Sequence, residues 1–204
     1  MREQEWLVCD QWLSMWDFIR DHPSERKRRL FSCGCCRRIW ELLSDERSRA
    51  VVLVAERFAD SQATKWELHT ADNDALDAYY DAGTPTRDAA ATALTASRTE
   101  TWSVFSASEY SRLAPAGKDH AEILRCIFGS LPFRSVTITP SWLTTNVVSL
   151  AQAIYDERAF DRMPILADAL EDAGCDNADV LNHCRQPGEH VRGCWVVDLL
   201  LGRS

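Results

Sequence analysis

Thr145-Asn146-Val147-Val148-Ser149-Leu150-Ala151-Gln152-Ala153-Ile154-Tyr155 decides the fold class. Val147, Leu150, Ala151, Ile154 and Tyr155 recur at spacings of three and four, so they share one face of a helix and leave the polar residues to the other. The chain beyond repeats the plan. Pro164 suits a first helical turn, where its missing N–H costs nothing. Ile165, Leu166, Ala169 and Leu170 carry the apolar face of that helix, and Gly174 stops it. Asn177 then caps a short helix holding Val180, Leu181 and Cys184. After the turn Gln186-Pro187-Gly188, Val191, Trp195, Val196, Leu199 and Leu200 belong to a last helix ending near Gly202.

The same period runs back to the start. Trp6, Leu7 and Cys9 give a short helix, and Trp12, Leu13, Trp16 and Ile19 a second that ends before His22-Pro23. Ser24 caps a third helix to about Leu43, and Ser44 caps a fourth to about Ala59. Thr64 and Glu67 have capping-box spacing and open a helix that ends at Gly83. Thr84 to Ser111 is rich in Ala, Thr and Ser and predicts one or two poorly packed helices. Pro115-Ala116-Gly117 is the main break. Ala121 to Phe128 is a further helix closed by Gly129, and Leu131 to Thr139 is an ordered loop. The expectation is an all-α fold of about ten short helices in helical hairpins, as an irregular bundle or an α-solenoid-like stack. It divides into an N-terminal half over residues 1–112 and a C-terminal half over residues 119–204, sharing one core.

The 204 residues are 46% hydrophobic and 26% charged, an ordinary globular balance. Eight tryptophans are unusual and predict large buried contributions to the core. The net charge of −8 disfavours generic polyanion binding. The charge is uneven, because Arg20 to Arg49 carries nine Lys/Arg against five Asp/Glu. Asp72, Asp74, Asp77 and Asp81 make one acidic stretch, and Asp156, Glu157, Asp161, Asp168, Glu171 and Asp172 another. The first residues lack the plan of a signal peptide, and the longest plain apolar run, Ala50 to Ala55, is far too short for a bilayer. A cytoplasmic protein with reduced cysteines is expected.

Two stretches carry a family likeness. One is Arg28-Arg29-Leu30-Phe31-Ser32-Cys33-Gly34-Cys35-Cys36-Arg37-Arg38-Ile39-Trp40 with Leu43-Ser44-Asp45-Glu46-Arg47-Ser48. The other runs from Ala153 to Phe160, through Leu166 to Cys175, and on to His183-Cys184-Arg185 and His190-Val191-Arg192-Gly193-Cys194-Trp195. Together they resemble a family of paralogous all-helical proteins abundant in large planctomycete-type bacterial genomes. The resemblance covers both ends of the chain and implies no activity and no catalytic residue.

Three constellations carry chemistry. Cys175, Cys184, His190 and Cys194, with His183 as an alternate ligand, are thiol and imidazole donors of the kind that hold zinc tetrahedrally. If the last helix begins early enough, His190 and Cys194 share one of its faces. The spacing matches no standard zinc finger, and the plain alternative is buried thiols that pack as small hydrophobes. Second, Cys33 and Cys36 share a helix face beside Arg37 and Arg38, cations able to lower a thiol pKa. Packing of these cysteines in the core is the competing reading. Third, Arg26, Lys27, Arg28, Arg29, Arg37 and Arg38 form a basic surface for a partner or for phosphates, against a salt-bridged face. Asp168 and Asp172 lie one helical turn apart and read as solvated acids.

The leading expectation is a non-enzymatic helical module that binds an unknown protein partner. The alternatives are a zinc-binding protein or a metal- or thiol-dependent enzyme at the C-terminal Cys/His cluster, and nucleic-acid binding through Arg26 to Arg38. No motif calls for a cofactor; structural zinc is the one alternative. No membrane is expected, and nucleic acid is disfavoured by the overall charge.

Overall fold

The computed structural model describes residues 1–19, 24–98, 118–129 and 133–203. Among the described residues there are eleven α-helices and no strand, so the protein is all-α. No helix among them is long and apolar enough to cross a membrane. The chain forms two compact units, Pro23–His120 and the pair of segments Met1–His22 and Ala121–Ser204.

The unit Pro23–His120 holds α3 (Glu25–Arg38), α4 (Glu46–Ala59), α5 (Lys65–Asp81) and α6 (Thr84–Leu94). Local chemistry sets the helix starts. The Ser24 hydroxyl accepts from the Lys27 amide, and Thr64 and Glu67 complete a reciprocal capping box. The cap of α4 is Asp45, which accepts from the Arg47 amide, and not Ser44; a carboxylate meets the positive helix end better than a hydroxyl does. The third helix also stops short of Leu43: α3 ends at Arg38, and a single tighter turn over Trp40–Leu42 follows. α4 packs against α3, α5 and α6, and its Val51, Val52 and Ala55 are fully buried.

The alanine-rich segment departs from expectation where it is described. α6 is well packed: Ala89, Ala90, Ala91, Ala93 and Leu94 are buried against its neighbours. Small side chains give little apolar signal in a sequence, yet they let helices approach closely. The remainder of that segment, from residue 99, lies outside the described residues, as do Trp102 and the Pro115-Ala116-Gly117 break.

The other unit assembles α1 (Glu3–Val8), α2 (Trp12–Ile19), α7 (Lys118–Phe128), α8 (Thr145–Glu157), α9 (Met163–Asp172), α10 (Ala178–Arg185) and α11 (Trp195–Leu200), with α7 joining it from Ala121. The first two helices thus fold with the C-terminal residues and not within an N-terminal half. The reason is specific anchoring. Trp6 is fully buried and its indole Nε1 donates to the Gly129 carbonyl at 3.0 Å. Arg125 Nη1 donates back to the carbonyls of Trp6 and Cys9, at 3.3 and 2.8 Å. Glu3 pairs with Arg134 at 3.0 Å, and Phe18 stacks on Phe133 with ring centroids 5.3 Å apart.

α8 supplies the centre of this unit, packing Val147, Ala151, Ile154 and Tyr155 against α9 and α11. α9 pairs with α10, and α10 with α11. Residues 133–139 form no regular element. Of the tryptophans, Trp6, Trp12, Trp16, Trp142 and Trp195 are buried and Trp40 is half-buried, but Trp66 on α5 is 73% exposed.

Candidate metal centre

α10 is only eight residues long and α11 only six. Helices this short are marginal in isolation and depend on what they pack against. The Asn177 side chain caps α10, accepting from the amides of Asp179 and Val180. His183 lies in its last turn. The chain then turns through Gln186-Pro187-Gly188 and reaches His190, which is not helical. The expected helix holding both His190 and Cys194 does not form. Gly193 adopts φ +88°, a left-handed conformation that interrupts any helix there, and α11 begins only at Trp195 with Cys194 as its N-cap residue. The Cys194 amide donates to the Val191 carbonyl at 3.0 Å, and this tight turn brings His190 and Cys194 together without a helix.

Four buried donors converge there: Cys126, His183, His190 and Cys194, whose ligand atoms all lie within 4.8 Å of one another. His183 Nε2 is 3.3 Å from Cys194 Sγ. His190 Nδ1 is 3.8 Å from each of the Cys126 and Cys194 sulfurs. The two imidazoles stand nearly perpendicular, at 88°, with centroids 4.8 Å apart. In a tetrahedron with metal–sulfur bonds of about 2.3 Å and metal–nitrogen bonds of about 2.0 Å, the donors sit about 3.3 to 3.8 Å from one another. These three of the six donor separations fall in that interval, and the whole set lies within 4.8 Å.

The electrostatics favour one thiolate. Burial works against a charge on Cys194, but a hydrogen bond from Cys126, the electrostatic interaction with His183 and hydrogen bonds from both histidines outweigh it and hold its pKa well below the ordinary thiol value. Cys126 is pushed well above it, first by burial and then by its contact with Cys194. The Val191 amide donates to Cys126 Sγ at 3.4 Å, ready to support a second thiolate there. His190 Nε2 is buried with no hydrogen-bond partner among the described residues. Outside the cluster, Gln186 Nε2 lies 3.1 Å from His183 Nδ1.

Of the residues the sequence singled out, His183, His190 and Cys194 meet here, while Cys175 and Cys184 do not belong to the four. Cys175 follows the end of α9, its amide donating to the Leu170 carbonyl at 2.9 Å, and Cys184 packs inside α10. Burial raises the pKa of both thiols. Cys126 is the member of this cluster that sequence reasoning missed. Its one signal was a place on the apolar face of α7, beside the buried Ile123, Leu124 and Ile127.

The remaining candidates are structurally committed. Cys33, Cys35 and Cys36 are buried, and Cys36 Sγ donates to the Thr92 carbonyl at 3.3 Å. Burial, with a neighbouring thiol, raises the pKa of Cys35 and Cys36 despite Arg37 and Arg38, so the arginines do not activate them. In the basic cluster, Arg26 pairs with the buried Asp60 at 3.1 Å. Arg37 grips the buried Glu56 through two nitrogens, at 3.0 and 2.7 Å, and lies 4.0 Å over the Trp40 ring. Arg29, itself buried, donates to the carbonyls of Ala96 and Ser97 and pairs with Glu25. Lys27, Arg28 and Arg38 are half-buried. Asp168 and Glu171 are exposed and bind Arg185, Asp168 at 2.8 Å.

No family model matches this chain, and no curated protein and no solved structure matches it either.

Proposed function

We propose that the protein is a zinc-binding helical protein, in which one Zn²⁺ held by Cys126, His183, His190 and Cys194 staples α7, α10 and the turn before α11 into one unit. The supporting observation is the convergence of two sulfurs and two imidazoles within 4.8 Å of one another in a buried site, with three of their separations at tetrahedral spacing. Two thiolates and two imidazoles are a donor set that suits zinc. Four protein ligands leave no open coordination position, which makes the metal structural rather than catalytic. Binding displaces the Cys126 proton and engages His190 through Nδ1, the ring nitrogen that faces both sulfurs. It also compensates for two helices too short to stand alone.

In this reading the protein acts as a non-enzymatic module for a protein partner. Trp66 and Tyr80 favour that role: they are 73% and 68% exposed on α5, and large aromatics are the residues on which interfaces concentrate their energy. Nucleic acid is not favoured, because Arg26, Arg29 and Arg37 already have acceptors within their own unit.

The test is metal content of protein purified without a polyhistidine tag, with helicity followed on chelation. About one zinc per chain, with helical signal lost when it is removed, is the expected result. Metal-free protein that declines added zinc and keeps its helicity would sink the proposal.

A further inference from the structure

We infer that Gln186 is a positioning residue for the metal, serving both tautomers of His183; this rests on the zinc reading above. A neutral imidazole carries one proton, on one nitrogen or the other. The Gln186 carboxamide nitrogen lies 3.1 Å from His183 Nδ1, and Cys194 Sγ lies 3.3 Å from Nε2, so in the tautomer with its proton on Nε2 the carboxamide donates to Nδ1 and the ring donates to the sulfur. Without zinc, this tautomer gives both ring nitrogens a partner. Zinc needs the Nε2 lone pair, so the ring proton must move to Nδ1, where it requires an acceptor. A half-turn of the Gln186 carboxamide about its last bond presents Oε1 in place of Nε2 and accepts it. The two amide atoms are nearly isosteric, so the turn needs no other rearrangement.

Few side chains can do both. A carboxylate only accepts and commits the ring to the metal-binding tautomer; an aliphatic chain does neither. The surroundings allow the motion while fixing its pivot. The Gln186 amide donates to the Asn182 carbonyl at 2.8 Å, and Pro187 follows. The side chain is exposed and faces a cavity of about 230 Å³ that Asn182, Gln186 and Trp195 help to line. His183 alone among the four ligands borders that cavity, so its outer edge depends on Gln186 for orientation.

The experiment is ¹⁵N NMR of histidine-labelled protein, without and with one equivalent of zinc, alongside zinc affinities of Gln186→Leu, Gln186→Glu and Asn182→Ala. In the metal-free protein His183 should carry its proton on Nε2; with zinc, Nδ1 should be protonated and Nε2 bear the coordination shift. Gln186→Leu should weaken zinc about ten- to a hundredfold. Gln186→Glu should restore or tighten it and place the proton on Nδ1 even without metal. Asn182→Ala, on the same cavity, should change nothing. Wild-type protein with Nδ1 protonated in both states, or Gln186→Leu binding zinc as tightly as wild type, overturns the inference and leaves the zinc reading standing. Wild-type protein that takes up no zinc overturns both.

Discussion

Cys36 on α3 and Cys194 before α11 are equally buried, yet one thiol is pushed above its ordinary pKa and the other is held well below it. Cys36 faces a backbone carbonyl and alanines of α6, and burial first, then the neighbouring Cys35 thiol, push its pKa up so that it stays protonated. Cys194 faces another thiol and two imidazoles, and these overcome the same burial. In the sequence, Arg37 and Arg38 beside Cys33 and Cys36 offered a way to lower a thiol pKa. The charge of Arg37 goes instead into Glu56 and the Trp40 face. A buried thiol's role is set by donors and acceptors that reach it from other helices, not by residues next to it in the chain.

The comparison breaks most visibly when a ligand is removed. Cys126→Ser or Cys194→Ser should abolish stoichiometric zinc binding and cost the metal's linkage contribution. At free zinc a thousandfold above the dissociation constant that is about 4 kcal/mol. Urea denaturation of wild type with a chelator should then match the variant without one. Full zinc retention by Cys126→Ser would contradict the site. Arg37→Ala sharpens the other side of the comparison. It strips a buried carboxylate of its bidentate guanidinium and should cost about 3 kcal/mol while leaving zinc stoichiometry untouched. If the loss is negligible, the arginine is not a structural clamp. The smallest effect belongs to Cys36→Ser. A hydroxyl can still reach the Thr92 carbonyl, so the cost should be about 1 kcal/mol, again with zinc unchanged. A Cys36→Ser protein that binds less zinc would mean the two thiol groups are not independent.

Much of the fold was legible because its signals are local. Ser24, Thr64 with Glu67, and Asn177 cap the helices they were expected to cap, since each reaches an amide two or three residues away. Gly174, with φ +84°, ends α9 as expected. The packing of α6 was not legible, because alanine contributes by being small rather than by being strongly apolar. The start of α11 was misplaced because Val191 and Trp195 suit a helical face, while the left-handed Gly193 between them overrides the pattern. Cys175 and Cys184, two of the expected donors, lie outside the cluster for a related reason. Cys175 and Cys184 are near His190 in sequence, whereas Cys126 is 64 residues from it and reaches it only through the packing of α7 against the turn before α11. No spacing rule reports a ligand delivered by tertiary structure.

The most direct test replaces zinc with cobalt(II), whose visible and near-ultraviolet absorption reports both tetrahedral geometry and thiolate ligation. Wild type, Cys175→Ser and Cys184→Ser should all give the intense visible bands of a tetrahedral site with sulfur-to-cobalt charge transfer, and Cys126→Ser should not. Retained bands in Cys126→Ser together with their loss in Cys175→Ser or Cys184→Ser would contradict the assignment and return the site to the cysteines that sequence spacing suggested.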